Sequence, residues 1–274
     1  MDNKELYSIS NQIRQLTVQA VYDAKSGHPG GSLSICDILA VLLFKEMKIE
    51  PSDAEDENRD RFVLSKGHAA PAYYAALALR GYFKTEELKK LRKIDSFLQG
   101  HPSRGKVPGV DMSTGSLGQG LSAANGMALT AKADKKDYKV YCICGDGELQ
   151  EGQIWEAAMT AAHYKLDNLT LFVDCNGLQI DGKVEDVMNV APVSDKFRAF
   201  GWKVLEIDGH DIEAIDEAVN RAKESKGKPT AILCKTVKGK GVSFMENQAG
   251  WHGMAPNEQQ FEVAMADLSR QEGR

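Results

Sequence analysis

Residues 139–147 read KVYCICGDG, an unbroken apolar run that ends in a glycine–aspartate–glycine turn. A second strand-like segment, residues 169–174 (LTLFVD), is followed directly by Cys175 and Asn176. A continuous apolar run such as that before Gly145 is typical of a parallel strand that is covered on both faces. Ligands of open α/β sheets bind beyond the carboxyl ends of the strands. We therefore expect Asp146 and Asn176 to lie together at a functional edge of one parallel sheet.

Helical and strand patterns alternate along the chain around these two segments. Strands are predicted at 61–64, 139–144, 169–174, 202–207 and 230–237. Helices are predicted at 4–24, 33–47, 71–79, 119–133, 151–164 and 212–223, with a capped helix start at 85–88 and a closing helix after residue 257. This alternation predicts a three-layer α/β/α fold with a mainly parallel sheet. We find no repeat and no second domain, so residues 1–274 are expected to form a single domain.

Composition excludes several functional classes. The chain has 274 residues, a net charge of -5 and 27% charged residues, which predicts no extended basic surface for nucleic acid. The N-terminus has no secretory signal pattern, and no apolar run is long enough to span a bilayer. The number of cysteines is odd, and Cys142 and Cys144 have C-x-C rather than C-x-x-C spacing. These features predict a cytoplasmic protein with reduced, buried thiols.

The two strand ends carry side chains that suit a metal and a diphosphate. Asp146 offers a charged oxygen and Asn176 a neutral one, a combination that suits Mg²⁺ or Ca²⁺. Gly145 and Gly147 allow the backbone to approach a ligand closely. A helix that begins near Glu151 would direct free N–H groups at an anion. The sequence therefore predicts a metal–diphosphate site at this edge.

The alternative is a dinucleotide-binding turn, which requires the pattern G-x-G-x-x-G. Here the third glycine position is Gln150. The acidic residue expected at the end of the following strand is present as Asp174. Because the missing glycine is needed for close helix packing, we favour the metal–diphosphate interpretation.

The amino-acid sequence of the whole chain resembles that of the transketolase family. Residues 145–156, GDGELQEGQIWE, together with Asn176 match the thiamine-diphosphate signature of that family. Further segments resemble its active-site loops in the family's order: GHPG (27–30), SKGHAAP (65–71), GHP (100–102), GSLGQG (115–120), KGKG (238–241) and WHG (251–253). The resemblance implies a thiamine-diphosphate-binding fold that covers essentially the whole chain.

The resemblance also implies a cofactor and the residues that hold it. The cofactor would be thiamine diphosphate with Mg²⁺, for which Ca²⁺ or Mn²⁺ can substitute. The metal ligands would be Asp146, Asn176 and the backbone carbonyl of Leu178. The implied cofactor contacts are His68, Gly115, Ser116, Leu117, Gly145, Gly147, Glu148, Asn176, Lys238 and His252.

Four of the six histidines lie in loops rich in glycine and proline: His28, His68, His101 and His252. By resemblance they form a catalytic ring over the thiazolium of the cofactor. Imidazole can move protons and stabilise alkoxides near neutral pH, as cleavage of a ketose requires. The alternative for each is a loop histidine bonded only to backbone. The remaining two are expected to be structural, His163 in a helix and His210 in a turn before a helix.

The resemblance further implies that this chain works with a second one. Full transketolases are more than twice this length, and the acid that activates the cofactor lies in a later, pyrimidine-binding domain. We expect a separate C-terminal subunit to supply that domain, in a heterotetramer of two plus two chains. Glu151 and Glu156 would face that partner, or be ordinary solvated acids. An artificial truncation is the alternative, although the charged end at 269–274 favours a natural terminus.

The expected activity is transfer of a two-carbon ketol unit from a ketose phosphate to an aldose phosphate. Pentose phosphates are the default substrates, and split enzymes for sulfosugars or branched sugars would share this half. Alternatives are a subunit of a deoxyxylulose-phosphate synthase or of a 2-oxoacid dehydrogenase, although neither is expected to combine GHPG with WHG. A non-catalytic cofactor-binding subunit would not need four loop histidines. A nicotinamide dehydrogenase is disfavoured by Gln150.

Overall fold

The two strand-like segments form neighbouring strands at the centre of a five-stranded sheet. The computed structural model describes residues 1–270. The sheet strands are β1 (Arg61–Leu64), β2 (Val140–Gly145), β3 (Leu169–Cys175), β6 (Lys203–Asp208) and β7 (Thr230–Lys235). All neighbouring strands are parallel, in the order β1-β2-β3-β7-β6. A small antiparallel hairpin follows β3 and consists of β4 (Leu178–Gln179) and β5 (Gly182–Lys183).

Helices cover both faces of this sheet. They are α1 (Asn3–Ala24), α2 (Pro29–Leu33), α3 (Cys36–Val41), α4 (Ala70–Arg80), α5 (Gln119–Ala133), α6 (Gly152–His163), α7 (Val184–Met188), α8 (Val193–Ala199), α9 (Ile212–Lys223) and α10 (Glu258–Ser269). Because side chains alternate along a strand, Tyr141 and Ile143 enter one core with α1, α3, α4 and α9. Cys142 and Cys144 enter a second core with α5, α6 and α8. The predicted three-layer parallel fold is confirmed.

Two predicted helices differ from the structure. The segment predicted at 33–47 begins earlier, since Pro29 occupies the first turn of α2, and it is interrupted at Ser34 and Ile35 before α3. It ends in a π-helical turn, Leu42–Glu46. The capped helix predicted at 85–88 is a 3₁₀ helix, Thr85–Lys90, without a side-chain cap. Only Leu88 of this segment is buried, so no apolar stripe supports a longer α-helix.

The closing helix α10 packs back on α1. Asn11 Nδ2 donates a hydrogen bond to the carbonyl of Leu268 at 3.0 Å, and Leu268 and Ala264 are buried in a small third cluster. Of the predicted frayed end, residues 271–274 lie outside the described residues. Within residues 1–270, no helix combines the length and the apolar character needed to cross a membrane.

Helix α5 approaches the end of β1 more closely than a side chain would allow. A Cβ atom built on Gly120 would lie 2.5 Å from Ser65 Cβ, whereas one on Gly126 of the same helix would meet nothing within 4 Å. We expect Gly120→Ala to lower the free energy of unfolding by about 1–3 kcal/mol through overpacking. Gly126→Ala should instead raise it by about 0.5–1 kcal/mol through helix propensity. Urea unfolding of both variants checks this, and a neutral Gly120→Ala would contradict the close approach.

Candidate active site

The loops that follow β1, β2, β3 and β7 enclose one pocket at the carboxyl edge of the sheet. Its wall includes residues that the sequence singled out in separate segments: His68, Leu117, Gly145, Asp146, Gly147, Glu148, Asn176, Leu178, Lys238 and His252. The first comes from the loop after β1 and the last two from the loops after β7. The parallel strands therefore bring together pocket side chains that are spread over 185 positions of the chain, from 68 to 252.

The predicted metal ligands are adjacent in this pocket. Asp146 accepts hydrogen bonds from the N–H groups of Gly147 (2.8 Å) and Gly177 (2.6 Å). Burial and the nearby Asp174 carboxylate raise the pKa of Asp146 to about 6. A buried carboxylate with a raised pKa gains from a bound cation. Asn176 and the carbonyl of Leu178 line the same pocket.

The donor set fits a hard divalent ion. Within residues 1–270 there is no cluster of three or more His, Cys, Asp or Glu side chains that could hold a metal. A metal bound at Asp146 would therefore use amide and backbone carbonyl oxygens, which Mg²⁺ and Ca²⁺ accept and softer metals avoid. This chemistry agrees with the set Asp146, Asn176 and Leu178.

Lys238 brings a buried ammonium group to the same place. Its Nζ lies 3.2 Å from the carbonyl oxygen of Leu178 and 2.9 Å from Nδ1 of His252. Burial and the neighbouring Lys66 lower the pKa of Lys238 to about 8. No ion pair joins Lys238 to a carboxylate among residues 1–270. An anion such as a diphosphate would supply the missing counter-charge.

The four loop histidines form one group of rings. The His28 centroid lies 5.4 Å from that of His68, 6.4 Å from His101 and 5.3 Å from His252. The centroids of His68 and His252 are 4.9 Å apart. Four residues from four segments of the chain thus face one another, as the resemblance implies.

The surroundings keep these histidines neutral. Burial and Arg92 lower the pKa of His28 to about 4, and burial and Lys238 lower that of His252 to about 3. The pKa of His68 is also far below its ordinary value, through burial and Lys66. Near pH 7 each ring therefore has a nitrogen that can accept a proton or a hydrogen bond.

Because these histidines are neutral in the folded chain, we expect the stability of the chain to decrease on acidification. Below about pH 6.5 the unfolded chain protonates its histidines. The folded chain does not protonate His28 until about pH 4 or His252 until about pH 3. Since the unfolded state then holds more protons, the free energy of unfolding falls as the pH drops from about 6.5 towards 4. Asp146 opposes this trend, because its raised pKa lets the folded chain gain a proton near pH 6.

A variant with asparagine at both His28 and His252 should show a weaker dependence. We expect its free energy of unfolding to fall less than that of the unaltered chain between about pH 6.5 and about pH 4.5. Urea unfolding at several pH values across this window gives the measurement. Equal slopes for the two proteins would show that these rings are not kept neutral by the fold.

Asp174 connects several loops of the pocket through hydrogen bonds to its carboxylate. From the sequence, Asp174 was not predicted to have this role. Its buried carboxylate accepts hydrogen bonds from Lys66 (2.5 Å), Ser34 (2.7 Å) and Asn176 (2.8 Å), and also from Thr236 Oγ1. Burial alone raises the pKa of a carboxyl group, but Lys66 and the hydroxyl donors hold the pKa of Asp174 below its ordinary value. The one signal in the sequence was a charged residue at the end of an apolar strand.

Comparison with known proteins agrees with this geometry. The family model described as "Transketolase, thiamine diphosphate binding domain" matches residues 6–270. The chain belongs to the transketolase family. It is 48% identical over 267 residues to the 6-deoxy-6-sulfo-D-fructose transketolase subunit of Clostridium sp. (strain MSTE9), covering 97% of both chains. It is 44% identical over 269 residues to an apulose-4-phosphate transketolase subunit of Phocaeicola vulgatus, covering 98% of this chain and 95% of that one.

Full-length transketolases match the chain over part of their length. Human transketolase is 46% identical over 251 residues, which cover 90% of this chain and 39% of the human protein. The crystal structure of Campylobacter jejuni transketolase is similar with a TM-score of 0.92 and 38% identity, covering 98% of this chain and 43% of that one. The chain thus spans about two fifths of these transketolases. The predicted family and fold are confirmed.

Of the remaining predicted site residues, Glu148 lines the pocket, whereas Gly115 and Ser116 precede the lining residue Leu117 and are not part of the wall. Gly115 is adjacent to His101, since a Cβ on it would lie 3.2 Å from the ring. Ser116 is exposed. Glu148 is buried with its carboxylate engaged by Ser65 (2.5 Å) and by the N–H of Gly118 (2.9 Å). Glu148 therefore connects the loop after β1 to the loop before α5.

Of the polar residues in and next to α6, some lie at the pocket and others make only structural contacts. Glu151 and Glu156 are exposed, Glu151 at the pocket and Glu156 on the outer face of α6. Gln150, at the position of the missing glycine, donates hydrogen bonds to Gln179 Oε1 (2.6 Å) and to the carbonyl of Met188 (2.8 Å). It therefore anchors the β4–β5 hairpin. His163 ends α6, where its ring contacts Tyr164.

Proposed function

We propose that this chain is the thiamine-diphosphate-binding subunit of a two-chain transketolase. With its partner it transfers a two-carbon ketol unit from a ketose phosphate, or a related ketose, to an aldose phosphate. The observation that carries this proposal is that His68 and His252 line one pocket with Asp146, Asn176 and Lys238, and that the rings of His28 and His101 lie in the same histidine group. Residues 1–274 are proposed to form a single diphosphate-binding domain.

The proposal assigns separate groups of pocket residues to the metal, to the diphosphate and to the rest of the cofactor. Asp146, Asn176 and the Leu178 carbonyl would hold Mg²⁺, and Lys238 and Gly147 would contact the diphosphate. Gly115, Ser116, Leu117, Gly145 and Glu148 would contact the rest of the cofactor. When bound, thiamine diphosphate supplies the carbanion chemistry that side chains lack.

The histidines His28, His68, His101 and His252 act on the sugar. The neutral rings of His68 and His101 accept hydroxyl protons, which suits general acid–base catalysis near pH 7. Arg92 donates to Nδ1 of His28 at 3.2 Å and Lys238 donates to Nδ1 of His252 at 2.9 Å, so these two neutral rings carry a proton on Nε2 and donate it to the developing alkoxide.

The partner is proposed to be a C-terminal subunit with a pyrimidine-binding and a C-terminal domain, in a heterotetramer of two plus two. The support is that relatives of the same length are named as subunits, whereas this chain spans about two fifths of single-chain transketolases. We further propose a cytoplasmic location, which fits five cysteines without a disulfide.

The test is a ketol-transfer assay with thiamine diphosphate and Mg²⁺. The chain is assayed alone and then mixed with the product of the adjacent reading frame. We expect transfer only in the mixture, and loss of transfer on removal of the metal with a chelator. Full activity of the chain alone would contradict the two-subunit proposal, and turnover of pyruvate in place of ketoses would contradict the proposed reaction. The donors include pentulose phosphates, 6-deoxy-6-sulfo-D-fructose and apulose 4-phosphate.

A further inference from the structure

His210 lies outside the pocket, in the turn between β6 and α9, but its ring joins two distant parts of the chain. Nδ1 lies 2.7 Å from Asp37 Oδ2, and Nε2 accepts a hydrogen bond from the N–H of Val237 at 2.9 Å. Only 13% of the side chain is exposed. The sequence indicated merely a turn before a helix here, so this pair of contacts is unexplained by that interpretation.

The two contacts fix the tautomer of the ring. A backbone N–H can only donate, so Nε2 has no hydrogen and Nδ1 carries the proton. The Nδ1–H group therefore donates to Asp37. That carboxylate is itself immobilised in the core, because it also accepts from Arg14 at 2.5 Å and from the hydroxyl of Ser10. His210 thus connects a fixed, buried anion to one backbone amide.

The Val237 amide lies next to two residues of the site. Val237 is the single residue between Thr236, which bonds to Asp174, and Lys238, whose ammonium lies in the pocket. The turn is pressed against the same strand end, since Gly209 N donates to the carbonyl of Lys235 at 2.8 Å. A Cβ on Gly209 would lie 2.5 Å from Thr236 Cγ2, so the turn has no room to move inward.

We propose that His210 is a positioning residue that holds the Val237 amide and so directs Lys238 at the cofactor diphosphate. The part of this inference that concerns the diphosphate rests on the proposed function. The contact between His210 and Val237 and its effect on the loop do not. Affinity for the cofactor should depend on the acceptor at Nε2 more than on the donor at Nδ1.

Two substitutions separate the two nitrogens. In His210→Asn the side-chain amide occupies the place of Nδ1 and keeps a donor for Asp37, but the acceptor for Val237 is lost. In His210→Gln the amide oxygen reaches the place of Nε2 and keeps that acceptor, but the donor at Nδ1 is lost. Hydrogen exchange of the Val237 amide is measured by NMR on the full chain. The Kd for thiamine diphosphate with Mg²⁺ is measured on the chain with its partner.

We expect His210→Asn to accelerate exchange at Val237 and to weaken cofactor binding by about tenfold, as loss of one buried hydrogen bond would. His210→Gln should stay within about twofold of the unaltered chain in both. Equal effects, or a larger effect of glutamine, would overturn the proposal and assign the role to the Asp37 contact. If the asparagine variant does not fold, fast Val237 exchange in a folded glutamine variant overturns it.

Failure of the proposed function gives a different result. If the unaltered complex takes up no thiamine diphosphate, the proposed cofactor is wrong. The exchange rates of Val237 in the two variants still decide whether His210 holds this loop. Normal exchange at Val237 in the asparagine variant would overturn the positioning role whatever the ligand is.

Discussion

Replacing Asp174 with asparagine is expected to lower the free energy of unfolding by about 3–5 kcal/mol and to abolish cofactor binding. The substitution keeps the shape of the side chain but removes the charge opposite Lys66, whose side chain is 2% exposed. A buried ammonium without its counter-charge is costly by about this amount. The new amide hydrogens would also face donors, since Lys66, Ser34 and Asn176 all donate to Asp174.

The Asp174→Asn effect has a matched control and an internal test. Asp195→Asn makes the same chemical change in an exposed ion pair with Arg198, and should alter stability by less than about 1 kcal/mol. In the double variant with Lys66→Met the unpaired charge is gone. We therefore expect part of the lost stability to return, measured as a coupling free energy in a double-mutant cycle of urea titrations. Additive losses would show that the Lys66–Asp174 pair is not the source of the effect.

Replacing His68 with asparagine is expected to lower kcat of the reconstituted enzyme by about 10²–10⁴-fold, the range for loss of a general acid–base group. Asparagine keeps a polar side chain of similar reach but cannot move a proton. His68 lies next to His252 and His28 and its ring is neutral, so it can accept a proton from a bound sugar.

The control for His68 is His163→Asn at the end of α6, outside the pocket, which should leave kcat unchanged. Steady-state ketol transfer gives kcat, and a separate titration gives the Kd for thiamine diphosphate. We expect the loss in kcat to exceed any loss in cofactor affinity. A His68→Asn enzyme with unchanged kcat would instead favour a non-catalytic, cofactor-binding subunit.

The sequence was sufficient to predict the sheet, because the signal for β2 and β3 is local. Each is a mostly apolar segment of strand length, and turn residues follow it directly. Parallel pairing then requires the residues after these segments to meet, and the pocket residues Asp146, Asn176 and Leu178 do meet. The grouping of the four histidines came from the resemblance, since no spacing rule relates positions 28 and 252.

What the sequence did not predict depends on long-range contacts. Lys66 and Asp174 are separated by 108 residues, and Asp37 and His210 by 173, so their pairing leaves no periodic trace. The break in the helix predicted at 33–47 has the same origin. Ser34 donates a hydrogen bond to Asp174, 140 residues away, and this tertiary contact outweighs the local helical pattern.

The meeting of the loops at Asp174 couples the pocket to the whole fold. Its partners extend from position 34 to position 236, so opening of any one of these segments would leave the buried carboxylate without one of its donors. A ligand seated above this carboxylate therefore resists global unfolding rather than the opening of a single loop. By mass action a ligand at about one hundred times its Kd adds about 2.7 kcal/mol to the free energy of unfolding. The abundance of the chain in a cell would then follow the supply of whatever molecule fills the pocket.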